Sequence, residues 1–216
     1  MTQESQITYR SFQTNDFEAT AELFRRQWCG EISPEAGVIA SQADICSYLA
    51  EADWSLVAEK NGELAGVALL SHANRPAPDG KAWAERREAL LAEAAQDPAL
   101  LAQVRLDTDF LEEEAAFAAE YAAAGGLGAN AELKLLIVGP AAKGAGVGGS
   151  LFSAARAEAL ESAGGFFLIT DDSCDVSFYE HKGLTQTAAR ATAQDNLACE
   201  TGEGDFMLYV YAEGRE

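Results

Sequence analysis

The stretch that most constrains this chain runs over residues 132–163: ELKLLIV, then GPAAKGAGVGG, then SLFSAARAEALESA. An apolar run of strand length enters a glycine-rich turn that opens into an Ala/Leu-rich helix. The turn holds Gly144, Gly146, Gly148 and Gly149, which lets backbone approach a ligand closely. A helix starting just beyond it leaves N–H groups unpaired and a partial positive charge aimed back at the turn. Together these features predict an anion site, best suited to phosphate.

Three phosphate-binding patterns compete for this turn. A P-loop needs Lys then Ser or Thr after its last Gly, whereas Lys143 precedes Gly144. Residues 144–149 do spell G-x-G-x-x-G, and Asp171 and Asp172 follow the next strand-like run, FFLIT, where a ribose ligand would stand. However, GPAAK separates the preceding strand from the first Gly, and the remaining chain is short for a doubly wound sheet. The third pattern fits at more positions. Val138-x-Pro140-x-x-Lys143-Gly144-x-Gly146-Val147-Gly148-x-x-Leu151 resembles the acyl-CoA pyrophosphate loop of the GNAT N-acetyltransferase superfamily. Lys143 stands where that family usually has Gln or Arg; it keeps a positive charge but lacks the planar fork. A second family-like motif follows in order, Phe178-Tyr179-Glu180-His181-Lys182-Gly183-Leu184.

The resemblance implies an α/β (α+β) GNAT fold, with a central mixed, mostly antiparallel sheet flanked by helices. It also implies acetyl-CoA as co-substrate. Leu136, Ile137 and Val138 would pair with its pantetheine arm. Lys143, Gly144, Ala145, Gly146, Val147, Gly148, Gly149 and Ser150 would hold its pyrophosphate. A backbone amide near Leu136–Val138 would polarise the thioester carbonyl.

The 216 residues suffice for one cored domain, and the 48% hydrophobic content suits a soluble one. No apolar run has membrane-spanning length and the N-terminus has no signal pattern, so a cytoplasmic protein is expected. Cys29, Cys46, Cys174 and Cys199 form no CxxC pair, which argues for reduced, mostly buried thiols and against a metal site. The net charge of −20 disfavours nucleic acid as partner. It would draw in a cationic acceptor, although solubility alone also accounts for it. Dimerisation is common in the resembled family, so a homodimer is possible.

In chain order, residues 7–12 read as a strand. Thr14 or Asn15 then caps a helix to about Cys29, with an apolar stripe of Phe17, Ala21, Leu23 and Phe24. Ser33-Pro34 opens a second helix. WSLVAEK and ELAGVALLSHA flank Asn61-Gly62, the dipeptide suited to a type I′ hairpin turn. Residues 74–130 read as a charged two-helix insertion, broken at Pro98 and ended by Gly125-Gly126-Leu127-Gly128. Its acidic excess, including Asp107, Asp109 and the run 112–114, reads as a solvated face or as a lid, acceptor wall or dimer contact. Residues 173–181 form a short helix carrying Tyr179, and LTQTAARAT and DFMLYVYA close the fold as an antiparallel pair around a turn with Gly202 and Gly204. The single domain thus spans 1–216, insertion included.

Acetyl transfer to a primary amine needs a base, because an alkylamine with a pKa near 10.4 is mostly protonated at neutral pH. Glu132 is the candidate: it lies six residues before Val138, hence on one strand face with Leu136 and Val138. Asp109 or another insertion carboxylate is the alternative. Tyr179 matches the family's tyrosine acid, which protonates the leaving thiolate. The acceptor, a small-molecule or peptide amine, is not written in these motifs. The other class of reading is a non-catalytic acyl-CoA sensor or interaction module.

Overall fold

A computed structural model describes residues 6–193 and 205–214. The expected turn at Gly202 and Gly204 lies outside them, as does Cys199. Seven strands form one sheet in the order β1-β2-β3-β4-β5-β7-β6. They are β1 (Ile7–Arg10), β2 (Trp54–Lys60), β3 (Glu63–His72), β4 (Ala131–Val138), β5 (Gly165–Asp171), β6 (Thr185–Ala191) and β7 (Met207–Gly214). Every neighbouring pair is antiparallel except β4–β5. The helices are α1 (Phe17–Trp28), α2 (Pro34–Glu51), α3 (Gly80–Ala94), α4 (Pro98–Ala123), α5 (Val147–Ser162) and α6 (Ser177–His181).

Local chemistry sets most of these boundaries. Asn61 and Gly62 both take positive φ, 56° and 84°, as the hairpin turn between β2 and β3 requires. Ser33 Oγ accepts the Ala36 N–H at 3.3 Å and Pro34 occupies the first turn of α2. Asp97 caps α4 in the same way, accepting from Ala99 N at 2.8 Å. The start of α1 differs from expectation. Thr14–Asp16 form a 3-10 turn, and Asp16, held by Arg10, accepts the Gln13 N–H at 2.7 Å. The short helix carrying Tyr179 also starts later than expected, because Ser173 folds back to donate to Asp171 Oδ1.

Three apolar clusters build the core. On one face of the sheet, α1 and α2 cover Val57, Val67, Leu69, Leu135 and Ile137. On the other, α5 buries Leu151, Phe152 and Ala155 against Leu70, Leu133, Phe166 and Leu168. The helices of 74–130 stand between adjacent strands β3 and β4. Trp83 of α3 stacks on Phe17 with ring centroids 5.1 Å apart. Phe117 and Ala118 of α4 pack on Phe167, Leu208 and Val210, beside α2 on its side of the sheet. The chain returns to β4 through Gly128, at φ 73°, where a Cβ would lie 2.3 Å from the Phe166 carbonyl oxygen. Only glycine fits there.

One irregularity positions the site. Leu69 pairs with Leu135 but Leu70 pairs with Leu133, so Lys134 is an extra residue bulging from β4. The bulge corrects the simple alternation expected for this strand. Leu136 and Val138 face α5, whereas Glu132 faces the α2 side, in an ion pair with Lys134, which also holds Glu51 of α2.

Candidate active site

β4 and β5 are in register only at Glu132 and Phe167. Beyond that pair the strands part, leaving a wedge whose β4 edge offers backbone at Leu136, Ile137 and Val138. On its β5 edge the Thr170 hydroxyl is buried against the Cys174 thiol, which it engages. Backbone polar groups left without partners are costly, so the open β4 edge suits an amide-bearing chain that supplies them.

The glycine loop closes the same end. Gly144 and Gly146 hold φ of 79° and 77°. The Lys143 and Ala145 N–H groups turn inward to Pro140 and Ala142 carbonyls, and the Ser150 N–H donates to Gly146 O at 3.0 Å. The first turn of α5 is therefore uncapped: Gly146 has no side chain, and the N–H groups of Val147, Gly148 and Gly149 have no acceptors among the described residues. Lys143 is exposed nearby. The Lys182 ammonium stands 3.6 Å from where a Cβ on Gly149 would lie. Lys182 is a second cation that the motif did not single out. A pyrophosphate fits this donor set, although the Lys143 and Ala145 N–H groups, expected to join it, are spent within the loop.

Tyr179 sits on the α5 side of the wedge, its ring against Phe152, Phe178 and Tyr211. Its hydroxyl has no hydrogen-bond partner among the described residues. Burial, then Cys174 and Asp171, push its pKa up, so it keeps its proton through the neutral range. Cys174 is also raised, to about 11, mainly by burial, which makes it a poor nucleophile.

Glu132 lies across the sheet from Tyr179. It borders a cavity of about 200 Å³ walled by Ala115, Ala118 and Ala122 of α4, Phe167 of β5 and Lys134. Burial raises the Glu132 pKa despite Lys134. Further carboxylates gather on this side. Glu114 of α4 carries no ion pair or hydrogen bond among the described residues. Burial first, then Asp171, Asp44 and Glu132, raise its pKa well above the carboxylate range. Asp171, at the C-terminal end of β5, acts electrostatically on Glu114, Tyr48 and Tyr179 alike. It thereby links the two faces at the mouth of the wedge.

The acidic run 112–114 is thus not simply a solvated face. Glu112 pairs with Arg87 at 2.7 Å and Glu113 accepts from Thr192 and the Ala193 N–H, while Glu114 lies within the field of Asp171, Asp44 and Glu132. Asp109 pairs with Arg105 at 3.1 Å on the surface. Glu114, Asp171, Asp44 and Tyr48 escaped the motifs. The available signal was periodicity: polar Asp44, Tyr48 and Glu51 recur at helical spacing on the inward face of α2, as do Asp107 and Glu114 on α4.

One other constellation has the distances of a nucleophilic triad. His72 Nδ1 lies 2.9 Å from Asp53 Oδ1, and Ser162 Oγ lies 2.6 Å from His72 Nε2. Ser162, however, ends α5, where carbonyls rather than N–H groups project, so no oxyanion donors face it. The trio ties β3 to α5. His181 bonds the Ser177 carbonyl within its own helix. Among the described residues, no cluster of three or more His, Cys, Asp or Glu could hold a metal, and no helix is long and apolar enough to cross a membrane.

No protein-family model matches the chain, and no curated protein matches its sequence. Solved structures do match its fold. The Escherichia coli ribosomal-protein-S18-alanine N-acetyltransferase is 14% identical with a TM-score of 0.56, over 97% of this chain and 94% of that one. Ard1 from Thermoplasma volcanium is 15% identical with a TM-score of 0.55, over 97% and 98%. A mosquito arylalkylamine N-acetyltransferase, like 5b, is 14% identical with a TM-score of 0.54, over 97% and 100%. The fold is therefore one that these solved N-acetyltransferases share.

Proposed function

We propose that this chain is an N-acetyltransferase that moves the acetyl group of acetyl-CoA to a primary amine. The wedge carries the proposal: a gap through the sheet with an anion cradle at one end, an unpartnered phenol on one face and a carboxylate-lined chamber on the other. Bound acetyl-CoA would supply an acetyl group activated as a thioester. The free N–H groups of Val147–Gly149, with Lys143 and Lys182, hold the pyrophosphate. The unpaired β4 edge at Leu136–Val138 holds the amide-bearing arm and directs an N–H at the carbonyl oxygen, where negative charge develops during attack.

The acceptor enters from the α2/α4 side. Glu132 takes the ammonium proton, and its raised pKa makes it a stronger base than a solvated carboxylate. Glu114 and Asp171 attract the incoming cation. As the C–S bond breaks, the Tyr179 hydroxyl gives its proton to the departing sulfur. The base and acid thus flank the gap from opposite faces, as direct attack across the sheet requires.

The test is release of free CoA from acetyl-CoA over a panel of primary amines, beside a thermal shift with CoA. Turnover supports the proposal. A chain that acetyl-CoA does not stabilise has no such activity. CoA binding without turnover on any amine would move the reading to a non-catalytic acyl-CoA sensor.

A further inference from the structure

We propose that the acceptor is a compact alkyl monoamine, its apolar body lying against the alanines of α4 and its one ammonium at Glu132. This inference rests on the acetyltransferase reading and specifies its second substrate.

The cavity of about 200 Å³ abuts the wedge directly, because its walls include both Glu132 and Phe167, the pair beyond which β4 and β5 part. Its buried wall is Ala118, Ala131 and Phe167, each no more than 3% exposed. Its rim is Ala73, Ala115 and Ala119, all exposed. Methyl groups and a phenyl ring make no hydrogen bonds, so these walls favour methylenes over hydroxyls, peptide groups or a second charge. At roughly 30 Å³ for each water-sized group, the volume holds about seven such groups. That is the size of an amine with about six carbons.

The charged members of the wall set the number of ammonium groups. They are Glu51, Glu132 and Lys134. Lys134 Nζ reaches Oε2 of Glu51 at 2.6 Å and Oε2 of Glu132 at 2.8 Å. Two carboxylates therefore share one ammonium, and one negative charge is left over. A single further ammonium balances it. A second would meet no other carboxylate among the described residues that line the cavity. Overall, the alkylammonium and acetyl-CoA give the amide, CoA thiol and one proton, which Glu132 takes and passes to solvent.

The experiment compares ethylamine, hexylamine, 1,6-diaminohexane and Nα-acetyl-lysine amide as acceptors for the full chain with acetyl-CoA. Hexylamine should exceed ethylamine in kcat/KM at least about tenfold, because each buried methylene adds a few-fold. It should exceed 1,6-diaminohexane by a similar factor, since the second ammonium would lie against methyl groups. The lysine derivative should also fall below hexylamine, because the alanine rim offers its amides no side-chain partner. Ala119→Leu, at an exposed helical position that suits leucine, narrows the rim. It should lower kcat/KM for hexylamine at least about fivefold more than for ethylamine. Equal values for hexylamine and ethylamine would overturn the proposal. So would a diamine or lysine derivative that matches hexylamine, or an Ala119→Leu effect independent of chain length. If no amine is acetylated, calorimetry of hexylamine on the CoA-loaded chain decides instead. Binding that Ala119→Leu weakens about tenfold upholds the cavity, and no binding refutes it. A chain that binds hexylamine but not acetyl-CoA would keep the cavity and lose the acetyltransferase reading, so the two failures read apart.

Discussion

Three side chains carry separable roles at the wedge. Tyr179→Phe keeps the ring packing on Phe152 and Tyr211 but removes the proton donor. Turnover should fall by about 10²-fold with CoA affinity kept, measured by steady-state rates and calorimetry. Because burial raises the Tyr179 pKa, wild-type kcat should show no alkaline loss up to at least about pH 10, the ordinary phenol value. Glu132 and Glu114 should separate in kinetics. Glu132→Gln should reduce kcat and shift the acid limb of its pH profile. Glu114→Gln, which removes a carboxylate with no other partner, should act mostly on KM. A KM effect from Glu132→Gln and a kcat effect from Glu114→Gln would reverse the assignment. Tyr179 stood out in a linear motif, whereas Glu132 was singled out by a strand-face argument that the bulge at Lys134 overturns, since Glu132 faces away from Leu136 and Val138. Asp171 was visible only as a possible ribose ligand, since its role depends on β5 ending beside α4, a contact that no local spacing encodes.

Among the elements, α4 does two things at once. Its apolar stripe, Phe117 and Ala118, covers the β5–β7 half of the sheet, and its alanines Ala115, Ala118 and Ala122 wall the chamber. The sequence showed a charged two-helix insertion and its breaks, because Pro98 and the glycines at its end are local signals. Where the insertion docks was not legible, because the faces of α4 are mixed in polarity. The β4 bulge was invisible for a related reason. AELKLLIV alternates well enough to read as a regular strand, and only the pairing with β3 reveals the extra residue. The docking of α4 is tested at its exit. Gly128→Ala must hold a left-handed backbone, costing roughly 1–2 kcal/mol, and its methyl must displace the Phe166 carbonyl. The variant should melt clearly lower and lose acceptor binding before CoA binding. A melting curve unchanged from wild type would show that α4 is not anchored there.

Across the molecule, electrostatics favours mildly acidic conditions for stability. Glu114, Asp44, Asp107, Glu132 and Asp171 all have pKa values raised by burial. A carboxylate raised on folding contributes stability that is full below its unfolded pKa and lost as pH rises through its folded pKa. Relief of a net charge of −20 acts in the same direction. Against this, Asp16 and Glu22 are lowered, in Glu22 to about 2, chiefly by its hydrogen bonds from Arg25 and Arg26. Their contribution is lost as pH falls below the carboxylate range. Thermal melts should therefore show a maximum between the ordinary carboxylate pKa of about 4 and neutrality, with stability falling towards pH 8. A monotonic rise from pH 5 to 8 would contradict the burial of these groups.

The bulge at Lys134 also decides which changes in chain length this fold can inherit. Losing that one codon would leave a strand of regular alternation that still pairs with β3, because Leu133 and Leu135 already face opposite sides. Glu132 would stay on the α2 face, but without the ammonium that joins it to Glu51. A codon lost elsewhere in the strand, with the bulge kept, would turn the residues on one side of the loss to the opposite face. The triplet for Lys134 is thus the one whose loss the strand absorbs in its geometry and feels in its charge pairing.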